Sequence, residues 1–363
     1  MSKGAAVAAS LAAGLVLYLL AWPVPVDPVA WHPPEDQGLT GVHAPNDLLA
    51  PARGIDLGDY HGPEDIALGR DGFLYATTLD GTILKVSPSG RTVVPFVNVG
   101  GRPLGIESLP DGSLVVANAI LGLQHVDPDG AVSNWLTHVG GEPLRYADDV
   151  AVADDGTVYL TEASTKFGAA EYRGTLEASL LDLLEHGGHG LVVAYRPDTG
   201  TARVLIDGLN FANGIAVSDD QRYLLVAETG AYRILKHWLD GPLAGRTEVL
   251  LDNLPGFPDN INNGEQGRFW IGLPAPRNAL LDTLAPRPFV RRIVQRLPAF
   301  LRPAPVASSH VIAIDGEGTV LMDLQDAAGR YPMLTGVLES PSALYLSTLT
   351  GHRLPWLDKD ELL

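Results

Sequence analysis

"FANGIAVSDDQRYLLVAET", residues Phe211 to Thr229, decides the fold. A polar pair, Asn213-Gly214, leads into a short apolar run ending at Val217. A turn of Ser and Asp follows, then a second apolar run from Tyr223 to Ala227. Short apolar runs bounded by Gly, Asp and Ser signal antiparallel strands joined by a tight turn. One hairpin fixes no fold, but this chain repeats the pattern. The same grammar recurs in "GPEDIALGRDGFLYATT" from Gly62, "RPLGIESLPDGSLVVANA" from Arg102 and "YADDVAVADDGTVYLTEA" from Tyr146. It returns in "FPDNINNGEQGRFWIGL" from Phe257 and "MLTGVLESPSALYLSTL" from Met333.

Counted from Asp71, Asp111, Asp155, Asp220, Gly267 and Ser342, the intervals are 40, 44, 65, 47 and 75 residues. Four-stranded propeller blades take ~40–45 residues each. The two long intervals hold insertions, "YRGTLEASLLDLLEHGG" at 172–188 and a second at 276–306. The expected fold is all-β: a six-bladed β-propeller over residues 51–358 with two helical insertions. Radial repetition leaves only short, protected sheet edges. A β-sandwich would not explain the period.

The bulk numbers agree with a large core: 363 residues, 46% hydrophobic and 19% charged. The net charge of -18 argues against nucleic acid, which needs a basic footprint. There is no cysteine, so disulfides, thiolate nucleophiles and Cys-ligated zinc are excluded. No G-x-S-x-G elbow and no H-E-x-x-H occurs either.

At the N-terminus, Lys3 precedes an uncharged run from Gly4 to Trp22. That run is the length of a bilayer-spanning helix. Trp22, Pro23 and Pro25 make a poor cleavage site, so residues 1–24 read as a transmembrane anchor, with a cleaved secretory signal as the alternative. Lys3 kept inside places the remainder on the extracytoplasmic side. Residues 25–50 read as a proline-rich stalk.

In a propeller, the first strand of each blade lines the central channel. The first member of each polar pair therefore occupies one ring position: Glu64, Leu104, Asp148, Asn213, Asp259 and Thr335. Taken singly, each is ordinary turn chemistry. Together they bring carboxylate and amide oxygens to one axis, where a hard cation is needed to offset their repulsion. An oxygen set without His or Cys fits Ca²⁺ rather than zinc.

The stretches "GPED", "GRPLGI", "DDVAVADDGTVYLTEAS", "FANGIAVSDDQRYLLVAETGAYRILKHWLDGPLAG", "NLPGFPDNI" and "FWIGL" carry a resemblance. They resemble the strictosidine-synthase-like branch of the six-bladed calcium-dependent propellers, which includes the adipocyte plasma membrane-associated proteins and their bacterial relatives. Gluconolactonases, paraoxonases and diisopropylfluorophosphatase are more distantly similar. The resemblance implies hydrolysis of esters, lactones or phosphoesters with calcium in the tunnel. It implies Glu64, Asp148, Asn213 and Asp259 as calcium ligands, with Asn260 as a fifth candidate. The family usually has "NDV" where this chain has Asp148-Asp149-Val150. The extra carboxylate should tighten cation binding and weaken the pull on a substrate carbonyl. Strictosidine synthase uses a Glu in its last blade, and Glu339 falls at about that place.

The expected activity is calcium-dependent hydrolysis of a small-molecule ester or lactone. Asp259 would act as general base or nucleophile and Glu339 is a second catalytic candidate. A strictosidine-synthase-like condensing lyase and a non-catalytic anchored propeller with structural calcium are the alternatives. His61, His125 and His310 are candidate proton shuttles; His186 and His189 read as loop residues. The second insertion holds six Arg and one acid between 277 and 303. Phe289, Val290, Ile293, Val294 and Leu297 share one helical face there. Residues 287–302 are thus either a membrane-surface helix or a lid with solvated arginines. The sequence names neither substrate nor oligomeric state.

Overall fold

The computed structural model describes residues 2–362. Six four-stranded antiparallel sheets form a six-bladed β-propeller. Their first strands are Ile66–Leu68, Pro103–Ser108, Ala147–Val152, Ala212–Val217, Ile261–Asn263 and Leu334–Glu339. Each follows its polar pair or contains it. The ring closes when Arg53–Asp56, ahead of the first blade, pairs antiparallel with Arg353–Asp358 and becomes the outer strand of the sixth blade.

Alternation along each strand builds the core. Successive side chains point to opposite faces, and both faces of every blade meet a neighbour. Leu224 and Val226 pack toward the third blade, Leu225 and Ala227 toward the fifth. Six apolar clusters result, one between each pair of adjacent blades. A core of this kind resists truncation: a buried Leu→Ala typically costs ~2–5 kcal/mol.

Topology also decides what lies on each face. The start of strand 1 and the loop from strand 2 to strand 3 share one face of a blade; the end of strand 1 lies on the other. Both insertions occupy strand 2–3 loops, in the third and fifth blades. They therefore sit on the face where the polar pairs stand. The first forms α2 (Thr175–Glu185), and the second forms α3 (Ala279–Leu284) and α4 (Pro288–Arg296). Asn278 caps α3 by accepting from Leu280 N and Leu281 N, and Pro288 starts α4.

α1 (Lys3–Ala21) is long and apolar enough to cross a membrane, and none of its residues is buried. The stretch read as a stalk does not stand free; it runs along the propeller as a strap. Val26 and Leu49 are buried, Val29 N donates to the Glu185 carbonyl, and Trp31 stacks on His186 with ring centroids 3.9 Å apart. Its apolar side chains give it something to bury, which a purely polar linker would lack.

Candidate metal centre

Glu64, Asp148, Asn213 and Asp259 stand where the inner strands begin, all within buried surroundings. Asn213 Nδ2 donates to Asp259 Oδ1 at 2.7 Å. Asn260 Nδ2 donates to the Glu64 carbonyl at 3.0 Å and to Glu64 Oε1 at 3.1 Å. Thr335 Oγ1 fixes the same carbonyl at 2.6 Å. The sequence positions thus meet around one axis.

Four oxygens of this group have no partner: Glu64 Oε2, Asp148 Oδ2, Asn213 Oδ1 and Asn260 Oδ1. A buried, unpaired polar atom costs ~1–3 kcal/mol, more when charged. Turn chemistry would leave no such surplus. Asp71, Asp111 and Asp155, which do serve turns, give their oxygens to the N–H two residues on. The four ring oxygens have no such donor.

The charges agree. Burial first, then the Asp259 charge, pushes Glu64 well above the usual carboxylate range; burial and Glu64 do the same to Asp148. Burial raises Asp259 to about 7 against the hydrogen bond from Asn213. One cation faces them, the buried Arg102, whose Nη1 donates to the Gly62 carbonyl at 3.2 Å. A divalent cation would supply the missing positive charge. Carboxylate and amide oxygens are the donor types that Ca²⁺ takes. A trio of His43, His310 and Asp323, within 4.8 Å of one another, lies elsewhere. There Asp323 Oδ2 meets His43 Nδ1 at 2.7 Å and His310 Nε2 at 2.9 Å, joining the strap to the fifth blade.

The neighbouring acids have another task. Asp65 Oδ2 accepts from Ile106 N at 3.0 Å, Asp149 Oδ2 from Ile215 N at 2.8 Å, and Asn262 Oδ1 from Val337 N at 2.9 Å. Each bracket ties an odd-numbered blade to the next. Gly336 is required beside the last, because a Cβ there would collide with the Asn262 amide. Asp65 and Asp149 are therefore inter-blade clips.

Glu339 is not brought to the ring. It ends the strand that begins at Leu334, ~13 Å beyond Thr335 at ~3.4 Å per residue, on the opposite face. Its carboxylate accepts from Trp270 Nε1 at 2.8 Å and Glu265 N at 3.0 Å and pairs with Lys359 at 2.6 Å and Arg268 at 3.2 Å. The histidines make other contacts. His61 pairs with His352, His125 stacks on Trp135, and His189 bonds Glu185 at 2.6 Å.

Some supporting residues escaped the sequence reading. Asn118 and Glu162 end the second strands of their blades and accept from the backbone that enters the ring, at Arg102 N and Tyr146 N; Glu228 does so one residue earlier in its blade, at Asn210 N. Their recurrence in "VANA", "LTEA" and "VAET" was a usable signal. Two residues before the ring position, Gly62, Phe211 and Met333 all have left-handed backbone, with φ of 63°, 64° and 58°. Phe211 and Met333 are strained choices there, a pattern that favours ring placement over local comfort.

A roof covers the ring. Leu104, Tyr146 and Phe211 pack under Leu181 and Leu184 of α2 and under Val26 of the strap. The lining above the carboxylates is thus apolar and aromatic.

Comparison with known proteins matches this architecture. Residues 148–242 match the family model described as "Strictosidine synthase", and residues 41–86 match "Strictosidine synthase-like, N-terminal". The chain is 34% identical to "Protein STRICTOSIDINE SYNTHASE-LIKE 6" of Arabidopsis thaliana, covering 86% of this chain and 82% of that one. It is 31% identical to the adipocyte plasma membrane-associated protein of Salmo salar, covering 93% and 84%. In fold it is similar to a gluconolactonase from Xanthomonas campestris, with TM-score 0.63 and 18% identity over 85% of this chain and 89% of that one. A regucalcin from Agrobacterium tumefaciens, described as a calcium-binding protein, gives TM-score 0.57 at 15% identity over 85% and 93%. Built as a six-bladed propeller with these sequence relatives, the chain belongs to the strictosidine synthase-like family.

Proposed function

We propose that this protein is a hydrolase of esters or lactones whose ring holds a divalent cation, calcium, through Glu64, Asp148, Asn213, Asp259 and Asn260. The observation that carries it is the set of four unpaired buried oxygens contributed by four sequence-distant residues. When bound, the cation supplies Lewis-acid polarisation of a substrate carbonyl. The chain supplies the rest. Asp259, held by Asn213 and raised toward neutrality, is the general base that takes a proton from water. Tyr146, Phe211 and Leu104 favour an apolar acyl or alcohol group and exclude bulk water. The name and fold of the gluconolactonase relative are compatible with this reading.

The lyase alternative loses its motivating residue, since Glu339 is engaged with Lys359, Arg268 and Trp270 on the far face. The roof favours a second reading, a non-catalytic propeller with structural calcium, because it closes the mouth above the ring. Membrane anchoring through α1 belongs to the proposal as well. It draws on the apolar helix and on the membrane-associated relatives.

The test is elemental analysis of the purified full chain, followed by aryl-ester and lactone turnover with calcium and with chelator. One bound calcium and turnover that disappears in chelator and returns with calcium are expected. Metal-free protein would overturn the calcium centre; bound calcium without turnover across both substrate classes would favour the structural reading.

A further inference from the structure

α4 is packed inside out. Its buried residues are Arg291, Gln295 and Arg296. Phe289, 57% exposed, and Ile293, half-buried, stand on the side away from Arg291, with Val290 and Val294, also half-buried, beside them. An amphipathic helix on a globular domain normally buries its apolar stripe. Here the stripe faces away from the propeller and continues into Phe300, 85% exposed, and Leu301, 56% exposed. The polar side is committed inward. Arg291, fully buried, donates to the carbonyls of Leu184 at 2.7 Å, Ala285 at 2.9 Å and Val29. Solvated arginines, as a simple lid would have, are therefore not what this insertion presents on that side.

The far end of α4 is bolted to α1. Arg296 Nε donates to the Trp22 carbonyl at 2.6 Å and Nη1 to the Leu19 carbonyl at 3.0 Å. Tyr18 Oη returns a bond to the Arg296 carbonyl at 3.0 Å. The guanidinium thus satisfies carbonyls at the C-terminal end of α1, where a cation is favoured.

We infer that the face formed by Phe289, Ile293, Phe300 and Leu301 docks on a bilayer carrying anionic headgroups. This rests on the anchoring reading of α1. A 19-residue helix spans ~28 Å at 1.5 Å per residue, close to the ~30 Å of a hydrocarbon core. Its last turn, Tyr18 to Trp22, then lies at the boundary, the depth that Tyr and Trp prefer. α4 touches that turn, so its outward stripe meets the acyl boundary. Arg287 and Arg302, neither of them buried, lie at headgroup depth, whereas Arg292 is paired with Asp27 of the strap. The one acid of the insertion, Asp282, is bound by Arg277 at 2.9 Å.

The chain has no cysteine, so single nitroxide labels can be placed on the full-length protein. Three variants suffice: Leu11→Cys within α1, Phe300→Cys, and Leu321→Cys on the outer strand of the fifth blade. Each is reconstituted in phosphatidylcholine vesicles with and without phosphatidylglycerol. Depth is read from relative accessibility to oxygen and to a water-soluble nickel chelate. With phosphatidylglycerol, Leu11 should read deep, Phe300 some 5–10 Å into the interface and Leu321 aqueous. If Leu11 is in lipid but Phe300 is as aqueous as Leu321, the docking face is overturned while the anchor stands. If Leu11 is aqueous, the anchor falls and the docking face with it. Equal depth of Phe300 without phosphatidylglycerol would overturn the part assigned to the arginines.

Discussion

Asn260 Nδ2 lies 3.1 Å from Glu64 Oε1 and 3.0 Å from the Glu64 carbonyl, so residues 196 apart in the chain share one corner of the ring. The Asn260 amide is thereby turned to leave its oxygen unpaired next to an unpaired carboxylate oxygen.

Removing charge from this corner should weaken a cation more than it weakens the fold. Asp148→Asn removes one buried acid from the ring. Calcium affinity should fall about tenfold or more, which corresponds to ~1.4 kcal/mol or more. The variant's melting temperature in chelator should equal or exceed that of the parent, since a buried carboxylate is gone. Calorimetric titration with calcium and thermal melts in chelator measure the two quantities. Unchanged affinity would remove Asp148 from the ligand set.

Asp259→Asn should separate catalysis from binding. The amide keeps the shape and can still accept a hydrogen bond, but it cannot take a proton. Turnover should drop by ~10²–10⁴-fold while the protein remains folded. Steady-state kinetics on the variant, with circular dichroism as the folding control, decide the point. Retained turnover would exclude Asp259 as the base.

Glu339→Gln should do the reverse. Burial alone would raise the Glu339 carboxyl, but hydrogen bonds from Lys359 and Trp270 outweigh it and hold it below its ordinary value. A depressed folded value means stability that is fully present above the unfolded carboxylate range, ~4.3, and is lost as pH falls through the folded value. The variant should lose ~1.5–3 kcal/mol at neutral pH, with a flatter decline in acid and little change in turnover. Urea melts at pH 7 and below pH 4 test this, and a large loss of turnover without destabilisation would return Glu339 to the catalytic set.

His186 makes the roof sensitive to acid. It stacks on Trp31, and burial, helped by Arg291 and Arg233, pushes it down to about 3. The unfolded imidazole titrates near ~6.5. Between those values the opened strap binds a proton that the closed strap refuses. Closure is therefore fully favoured above ~6.5 and weakens as pH falls, by up to ~1.4 kcal/mol per pH unit. Trp31 should become accessible to acrylamide quenching as pH drops from 7 to 5, judged against a Trp31→Phe control. In His186→Gln the quenching should no longer change with pH.

The period in "FANGIAVSDDQRYLLVAET" and its relatives was enough to count blades, because strand alternation and turn residues are local properties. It was also enough to align Glu64, Asp148, Asn213 and Asp259, since equal places in a repeat become equal places around an axis. The sequence placed Asp148 on the ring but could not say what Asp149 does. Both are buried acids one residue apart, and only the position of Ile215 N in the next blade gives Asp149 a donor and leaves Asp148 Oδ2 without one. Nor could it locate Glu339, whose partners come from Arg268, Trp270 and Lys359.

By itself, then, the chain determined a six-bladed propeller, a ring of oxygen-bearing residues and an apolar N-terminal helix. Those depend on the order of apolar and polar residues within a few turns or strands. Tertiary structure alone decided which oxygens stay unpaired, which face Glu339 occupies and which side of α4 is buried. Periodicity reveals that a helix has two faces, but only the carbonyls of Leu184, Ala285, Leu19 and Trp22, gathered from distant segments, determine that the arginine face turns inward.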